Sequence, residues 1–240
     1  MKYIASFSGG KDSAAMLLLI LEKRLPLDEI IFIDTGVEFD EIYNIIDDFE
    51  KRINFKITRI KAEKNFEEYF YTVNKRGKRK GQIRGFPYTL GAWCNSSLKR
   101  APANKYFNSI GEHKRYIGIA FDELNRYKRL EKNCIAPLYE EKMTESDCLK
   151  YLEEKGFYYE IHHRFKRTGC YLCPKQSLES LRILRKYYPD LWESMLKLDK
   201  DSPTTFKANG TTVHDLEKRF RNEDIENERQ ISFFQTEKSI

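Results

Sequence analysis

The sequence predicts an α/β protein: a parallel twisted sheet flanked by helices in the Rossmann-like manner, with a small C-terminal helical appendage. Three observations predict it. Strand-like and helix-like segments alternate through the first two thirds of the chain. A glycine pair stands where the first strand turns into the first helix, and from Cys170 onward only helical periodicity remains.

The elements follow in order. Residues 3–7 are a short apolar run, and residues 14–21 an almost unbroken one, so a strand is followed by a helix over residues 12–23. Further strands fit residues 29–34, 56–60, 116–120 and 135–138, with helices over 41–53, 66–74, 101–110 and 145–155. Ligands of such sheets lie beyond the carboxyl ends of the strands, where the glycine turn, the Asp34 segment and the Asp122 segment all emerge. In the appendage Leu178, Leu181 and Leu184 recur every three residues, Pro189 interrupts the run, residues 191–198 resume it, and residues 213–220 form a third short helix. The expected division is an α/β domain over residues 1–168, a helical appendage over 169–220 and a mobile polar tail over 221–240.

At 240 residues with 40% hydrophobic and 33% charged content, the chain can bury a substantial core and is not of disordered type. No apolar stretch reaches membrane-spanning length, and residues 16–21 lie inside a helix rather than behind a charged leader, so no membrane role and a cytoplasmic location are expected. Five cysteines are an odd count, which argues against a disulfide framework and leaves metal ligation or core packing. The net charge of +6 favours an anionic partner; a nucleotide suffices, and nucleic acid is permitted.

The turn itself reads Ser8-Gly9-Gly10-Lys11-Asp12-Ser13. Two glycines admit close approach of an anion, the first N–H groups of the helix lack internal partners, and the helix dipole adds partial positive charge. Lys11 adds a full charge, and Ser8 and Ser13 add hydroxyl donors. Asp12 would repel bare phosphate and suits a helix start or a Mg²⁺ contact. The spacing fits neither the Walker A loop nor the Gly-x-Gly-x-x-Gly dinucleotide fingerprint.

Ser-Gly-Gly-Lys-Asp-Ser instead resembles the PP-loop of the adenine nucleotide alpha hydrolase-like superfamily, which includes ATP pyrophosphatases and phosphoadenosine phosphosulfate (PAPS) reductases. Asp34-Thr35-Gly36 with the following Phe39 resembles the PAPS reductase pattern, and can reach an adenosine ribose or base; a plain strand-end turn is the alternative. Gly118-Ile119-Ala120-Phe121-Asp122-Glu123-Leu124-Asn125-Arg126 looks like a further stretch of that family. Asp122 and Arg126 are four apart, hence expected on one helical face, where they can bind Mg²⁺ or position pyrophosphate; an exposed helix with an internal ion pair is the bland reading.

Trp93-Cys94 with Lys99, and Gly169-Cys170-Tyr171-Leu172-Cys173-Pro174, resemble a subset of PAPS reductase-like proteins found in bacteria and phages. A Cys-x-x-Cys turn lets two thiolates face one metal, and Cys94 is the third ligand by motif match. Cys134, His163 or an outside group is the candidate for a fourth. An iron–sulfur cluster with an open iron would suit sulfur transfer, and a filled site would suit structural Zn²⁺; a redox dithiol or inert thiols are the alternatives. Cys148 shares an apolar face with Leu152 on a helix opened by Thr144 and Asp147, which is a packing position. His162, His163 and His214 show no metal spacing and read as surface or packing residues.

Between Lys75 and Arg84 stand six basic residues and no acid. This loop can close over a triphosphate or hold a nucleic-acid backbone, with Tyr69, Phe70, Tyr71, Phe86 and Tyr88 as stacking surfaces, or it is a solvated hairpin tip.

Two reactions follow from the resemblance. In one, ATP is bound with its α-phosphate exposed, an acceptor is adenylylated and pyrophosphate leaves, with the loop amides, Lys11, Lys99 and Mg²⁺ stabilising the charge and Asp122 and Arg126 binding Mg²⁺ or positioning pyrophosphate. In the other, PAPS is bound and a cysteine attacks its sulfur, which in true PAPS reductases uses a C-terminal Glu-Cys-Gly-x-His motif that this sequence lacks. Adenylyl transfer serving sulfur transfer is therefore the preferred expectation, with a nucleic acid or nucleobase as a candidate acceptor. A regulatory protein that binds nucleotide without turnover is the non-enzymatic alternative, and a homodimer is compatible with either.

Overall fold

The computed structural model describes residues 1–237, so the last three residues of the expected tail lie outside it. Five strands form one sheet in the order β3-β2-β1-β4-β5, every neighbouring pair parallel. They are β1 (Lys2–Ser6), β2 (Glu29–Asp34), β3 (Ile57–Lys61), β4 (His113–Ile117) and β5 (Cys134–Ile135). The helices between and after them are α1 (Lys11–Glu22), α2 (Asp40–Ile53), α3 (Phe66–Phe70), α4 (Ala101–Ile110), α5 (Leu124–Tyr127), α6 (Pro137–Glu140), α7 (Glu145–Glu154) and α8 (Glu160–Arg164); a π-helical turn, Asn95–Arg100, leads into α4. The α/β class is as the sequence predicts.

Alternation along the strands assigns each face its helix. Ile4 and Ile31, with Ile33 and Ile60, meet Ala103, Tyr106 and Phe107 of α4. Phe7 and Phe32 point the other way, against the rings of Phe49 and Tyr43 on α2. Helix α1 is apolar nearly all round because α6 and α7 cover its outer side. Strand order reverses between β1 and β4, and the crevice at the carboxyl ends of those two strands is where open parallel sheets bind ligands.

The chain divides into two compact units: Met1–Phe66 with Cys94–Tyr171, and Glu67–Trp93 with the chain from Leu172 onward. Two boundaries differ from the sequence reading. Residues 67–93 leave the α/β unit, because Phe86 stacks edge-on between Phe70 and Phe206 while its backbone N–H donates to Ser202 and its carbonyl accepts from Thr204. The second unit's helices are α9 (Leu178–Tyr187), α10 (Pro189–Asp201) and α11 (Val213–Glu237). Helix α11 runs on into the polar stretch expected to be mobile, and the start of that stretch is tied down where Arg182 and Arg185 on α9 bind Glu223 and Asp224, beside Glu217 one turn or two earlier.

Two strand assignments shift. Strand β4 begins at His113 and ends at Ile117, earlier than the apolar run suggests, because Arg115 lies 4.8 Å over the Phe107 ring while its guanidinium pairs with Glu131. The fifth expected strand, residues 135–138, yields only the two-residue β5 before Pro137, which cannot donate to a ladder, opens α6.

Candidate functional site

The loop from Ser8 to Ser13 leaves the end of β1 and is braced from within. Ser13 Oγ donates to the Gly10 carbonyl at 2.8 Å, and accepts from the Ser8 N–H at 3.1 Å and from the Ser8 hydroxyl at 3.0 Å. Both predicted serines thus shape the loop. Gly10 is the N-cap of α1 and makes no side-chain cap bond, so the opening N–H groups of the helix keep their capacity for an anion.

Two glycines let the loop pack closely against its neighbours. Gly9 has φ +74°, and a Cβ there would come within 2.9 Å of Ile42 Cγ2. Gly118 follows β4 directly beneath the first turn of α1: a Cβ would meet Ser13 N at 2.9 Å and the Asp12 carbonyl carbon at 3.0 Å, both backbone atoms. Only a glycine lets α1 start at the crevice between β1 and β4.

Lys11 and Asp12 are set in a group of charges. Lys11 Nζ donates to Glu145 Oε2 at 2.7 Å and to the Lys166 carbonyl at 3.0 Å. Asp12 is mostly buried; its Oδ1 accepts no hydrogen bond, with Lys11 Nζ 3.8 Å away. Burial pushes its carboxyl up to about 6; Lys11 opposes this and Glu145 and Glu123 add to it. Asp122 Oδ1 accepts the Glu145 N–H at 3.2 Å, capping the start of α7, while Arg126 donates to Glu123 at 2.8 Å. The expected Asp122–Arg126 face is therefore replaced: Asp122 stands before α5 and turns to α7, and the ion pair within the segment is Glu123–Arg126.

Asp34, Thr35 and Gly36 form the turn that ends β2. Asp34 is buried; its Oδ1 accepts from the Gly36 N–H and the Tyr43 hydroxyl, both at 2.8 Å, and Lys61 lies 3.1 Å from its other oxygen. Thr35 donates to Glu38 at 2.8 Å, and Lys99 Nζ is 3.9 Å from the same carboxylate. The turn reading accounts for these bonds.

Four residues from the sequence neighbourhood of α7 and α8 reach the loop unannounced by any motif. Glu145 and Lys166 hold Lys11, Thr168 Oγ1 stands 3.0 Å from where a Gly10 Cβ would lie, and His162 Nε2 donates to the Gly9 carbonyl at 2.8 Å. His162 is buried with Nδ1 unpartnered, and burial drops its pKa to about 4, so the ring is neutral with its proton on Nε2. The one available hint was the box between Thr144 and Asp147, present here, which fixes Glu145 at the first position of α7.

Cys94 and Cys170 belong to the first unit and Cys173 to the second; all three are half-buried. Among the described residues no group of three or more His, Cys, Asp or Glu is gathered to hold a metal ion. The cysteine cluster thus rests on the sequence. Cys148 is fully buried on α7, as a packing residue should be, and burial pushes its thiol far up. Cys134 on β5 is raised by burial too, against thiolate formation, and His163 pairs with Glu153 at 3.0 Å. Magnesium demands less of the protein, commonly one or two carboxylates plus substrate phosphates, and the unpartnered Asp12 oxygen fits that role.

A loop of open amides and a lysine stands at the switch point of a 3-2-1-4-5 sheet, an arrangement suited to an anion. The model of the phosphoadenosine phosphosulfate reductase domain matches residues 2–176. The chain belongs to that family. Among its relatives, the uncharacterized protein MJ0066 of Methanocaldococcus jannaschii is 30% identical over 79% of this chain and 40% of its own length. A second from that organism, MJ0973, is 31% identical over 80% of this chain and 47% of its own, so the chain spans less than half of each. The nin region protein ORF290 of Escherichia phage lambda is 28% identical over 76% of this chain and 69% of its own. In fold, the PAPS reductase of Candida auris is similar at TM-score 0.51 and 16% identity, covering 71% of this chain and 82% of that one. A fainter likeness, TM-score 0.47, to the U34-tRNA thiolase NcsA of Methanococcus maripaludis carries no argument. No helix among the described residues is long and apolar enough to cross a membrane.

Proposed function

We propose that this PAPS reductase-like PP-loop protein binds ATP at the Ser8–Ser13 loop and activates an acceptor by adenylyl transfer, in the service of sulfur transfer. One observation carries the choice of ATP: the carboxylates of Asp12 and Glu145 lie 3.8 and 2.7 Å from the loop lysine, Glu123 adds its charge beside Asp12, and Asp122 caps Glu145. Carboxylates at that density repel a bare sulfonucleotide and favour a polyphosphate neutralised by a divalent cation.

The roles follow from chemistry at named atoms. The α1 amides and the Lys11 ammonium receive the phosphates, Lys11 exchanging Glu145 for a phosphate oxygen. An acceptor nucleophile forms a bond to the α-phosphorus as the bond to the bridging oxygen breaks; the electron pair leaves on pyrophosphate, and the acceptor holds AMP. Magnesium, when bound at Asp12, supplies charge neutralisation. Arg126 and Lys99, held now by Glu123 and near Glu38, are the cations available to the leaving pyrophosphate.

The family match favours PAPS reduction as a second reading. One assay separates them: the purified chain with α-³²P-labelled ATP or with ³⁵S-labelled PAPS and a thiol reductant. Label transfer with pyrophosphate release supports the first; sulfite release overturns it. Binding of either nucleotide with no turnover across acceptors supports the regulatory alternative.

A further inference from the structure

The basic stretch of the second unit is a folded, self-braced hairpin rather than a slack loop. Val73 and Ile83 pair across it, and Asn74 N–H and side chain bond the Gln82 carbonyl. Arg79 spends its charge holding the tip: it donates to the carbonyls of Ile83 and Arg84 at 2.9 and 2.6 Å and to the Tyr88 hydroxyl at 3.0 Å. Arg84 lies 5.6 Å over the Tyr69 ring. What remains is a row of exposed cations, Lys75, Arg76, Lys78 and Lys80, with no ion pair or hydrogen bond to their side chains among the described residues, and no acid occurs from Tyr69 to Trp93. Beside them the Tyr88 ring is 55% exposed although its hydroxyl is anchored, so its position is fixed while its surface stays open.

The residue after Tyr88 opens a second feature. Thr89 lines a cavity of about 490 Å³ with Lys175, Lys207, Asn209, Thr211 and Arg219. That is large enough for a nucleotide. Lys207 donates to the Pro174 and Gln176 carbonyls, which leave its charge unneutralised, and Lys175 makes no ion pair among the described residues. The acid in the wall, Asp215, is occupied as the cap of Thr212, and Arg219 shares Glu223 with Arg182. Leu178 and Leu216 give the same cavity an apolar side.

Unpaired cations in a row, a fixed open aromatic ring and a cationic cavity with an apolar wall match the three parts of a nucleic-acid strand: phosphates, base face and a single inserted nucleotide. We propose that the second unit binds single-stranded nucleic acid, its backbone on Lys75, Arg76, Lys78 and Lys80, one base on Tyr88, and one nucleotide in the Thr89–Lys175–Arg219 cavity. This deepens the proposed function by naming its acceptor class, and it rests on that reading only for the link to chemistry.

Fluorescence anisotropy of the full chain with a fluorescein-labelled 20-mer tests it, with single-stranded RNA, single-stranded DNA and duplex DNA as separate probes. The expected result is binding of one or both single strands more tightly than the duplex. Lys75→Glu/Lys78→Glu/Lys80→Glu should weaken it by at least about tenfold and lower the salt slope by about 2, three phosphate contacts at roughly 0.7 each. Tyr88→Ala should cost about tenfold for the oligonucleotide and leave heparin binding unchanged. Because Tyr88 also braces the tip, Lys175→Glu provides an independent variant with the same expected loss. Unchanged affinity in the triple variant, an equal loss of heparin and oligonucleotide binding in Tyr88→Ala, or preference for duplex would overturn the proposal. Lys11→Ala separates it from the nucleotide chemistry: it should retain the anisotropy signal while losing pyrophosphate release, and turnover on a different acceptor without strand binding would sink this inference alone.

Discussion

Replacing Asp12 with Asn should stabilise the ligand-free protein at neutral pH. Burial raises the carboxyl from 3.8 to about 6. At about 1.4 kcal/mol per unit, keeping Asp12 ionised in the fold costs about 3 kcal/mol above pH 6. The sign follows from proton counting. Between pH 4 and 6 the folded chain holds a proton that the unfolded chain has released, so stability falls as pH rises through that window. His162 has the opposite slope: burial lowers it from 6.5 to about 4, so the stability of its neutral form is complete above pH 6.5 and is lost as pH falls toward 4. The two slopes nearly cancel in the native chain, and Asp12→Asn unmasks the histidine. Urea unfolding followed by far-UV circular dichroism suits the test, since both tryptophans lie in the second unit. Allowing for residual solvent at the site, the variant should gain about 2 kcal/mol at pH 7.5, nothing at pH 4, and a stability rising with pH between them. A variant less stable at pH 7.5 would refute the reasoning, because it would mean Lys11 more than compensates the buried charge.

Glu145→Gln removes the competitor for Lys11, a partly exposed pair worth about 1 kcal/mol, so the affinity for a non-hydrolysable ATP analogue should rise about fivefold by calorimetry; a fall would place Glu145 on the ligand side. Gly118→Ala forces a methyl into the backbone of α1 and should destabilise by about 1–3 kcal/mol and weaken nucleotide binding more than tenfold, whereas unchanged binding would detach α1 from the site. In the second unit, burial pushes Glu217 up, but bonds from Arg185, Arg221 and Trp192 win and hold it at about 2. Its contribution is present above pH 4.5 and lost as pH falls toward 2. Tryptophan fluorescence should show that acid loss in the native chain and not in Glu217→Gln.

How far the sequence could be read depended on whether a feature was local. Helix α1 and its loop were legible because an apolar run and a glycine pair act on their own neighbours. Strand β4 was misplaced because Arg115 carries its charge out over Phe107, a cross-element contact that hydropathy cannot register. Helix α11 was cut short because its polar residues are paid for by arginines on α9, some forty positions away. In the site, Ser8, Gly9, Lys11 and Gly118 stood out by type and spacing. Glu145, His162, Lys166 and Thr168 did not, since each meets the loop only through the packing of α1 on α7 or through α8 and the chain that follows it.

The central claim is that the bond broken over the Ser8–Ser13 loop is the α–β link of ATP. Its most direct measurement is the fate of α-³²P label and pyrophosphate when the protein meets ATP, Mg²⁺ and a single-stranded oligonucleotide, beside Lys11→Ala. The account predicts stoichiometric pyrophosphate with label passing to acceptor or AMP, and at least about a hundredfold loss in Lys11→Ala. Release of inorganic phosphate from the γ-position, or equal turnover by Lys11→Ala, would contradict it.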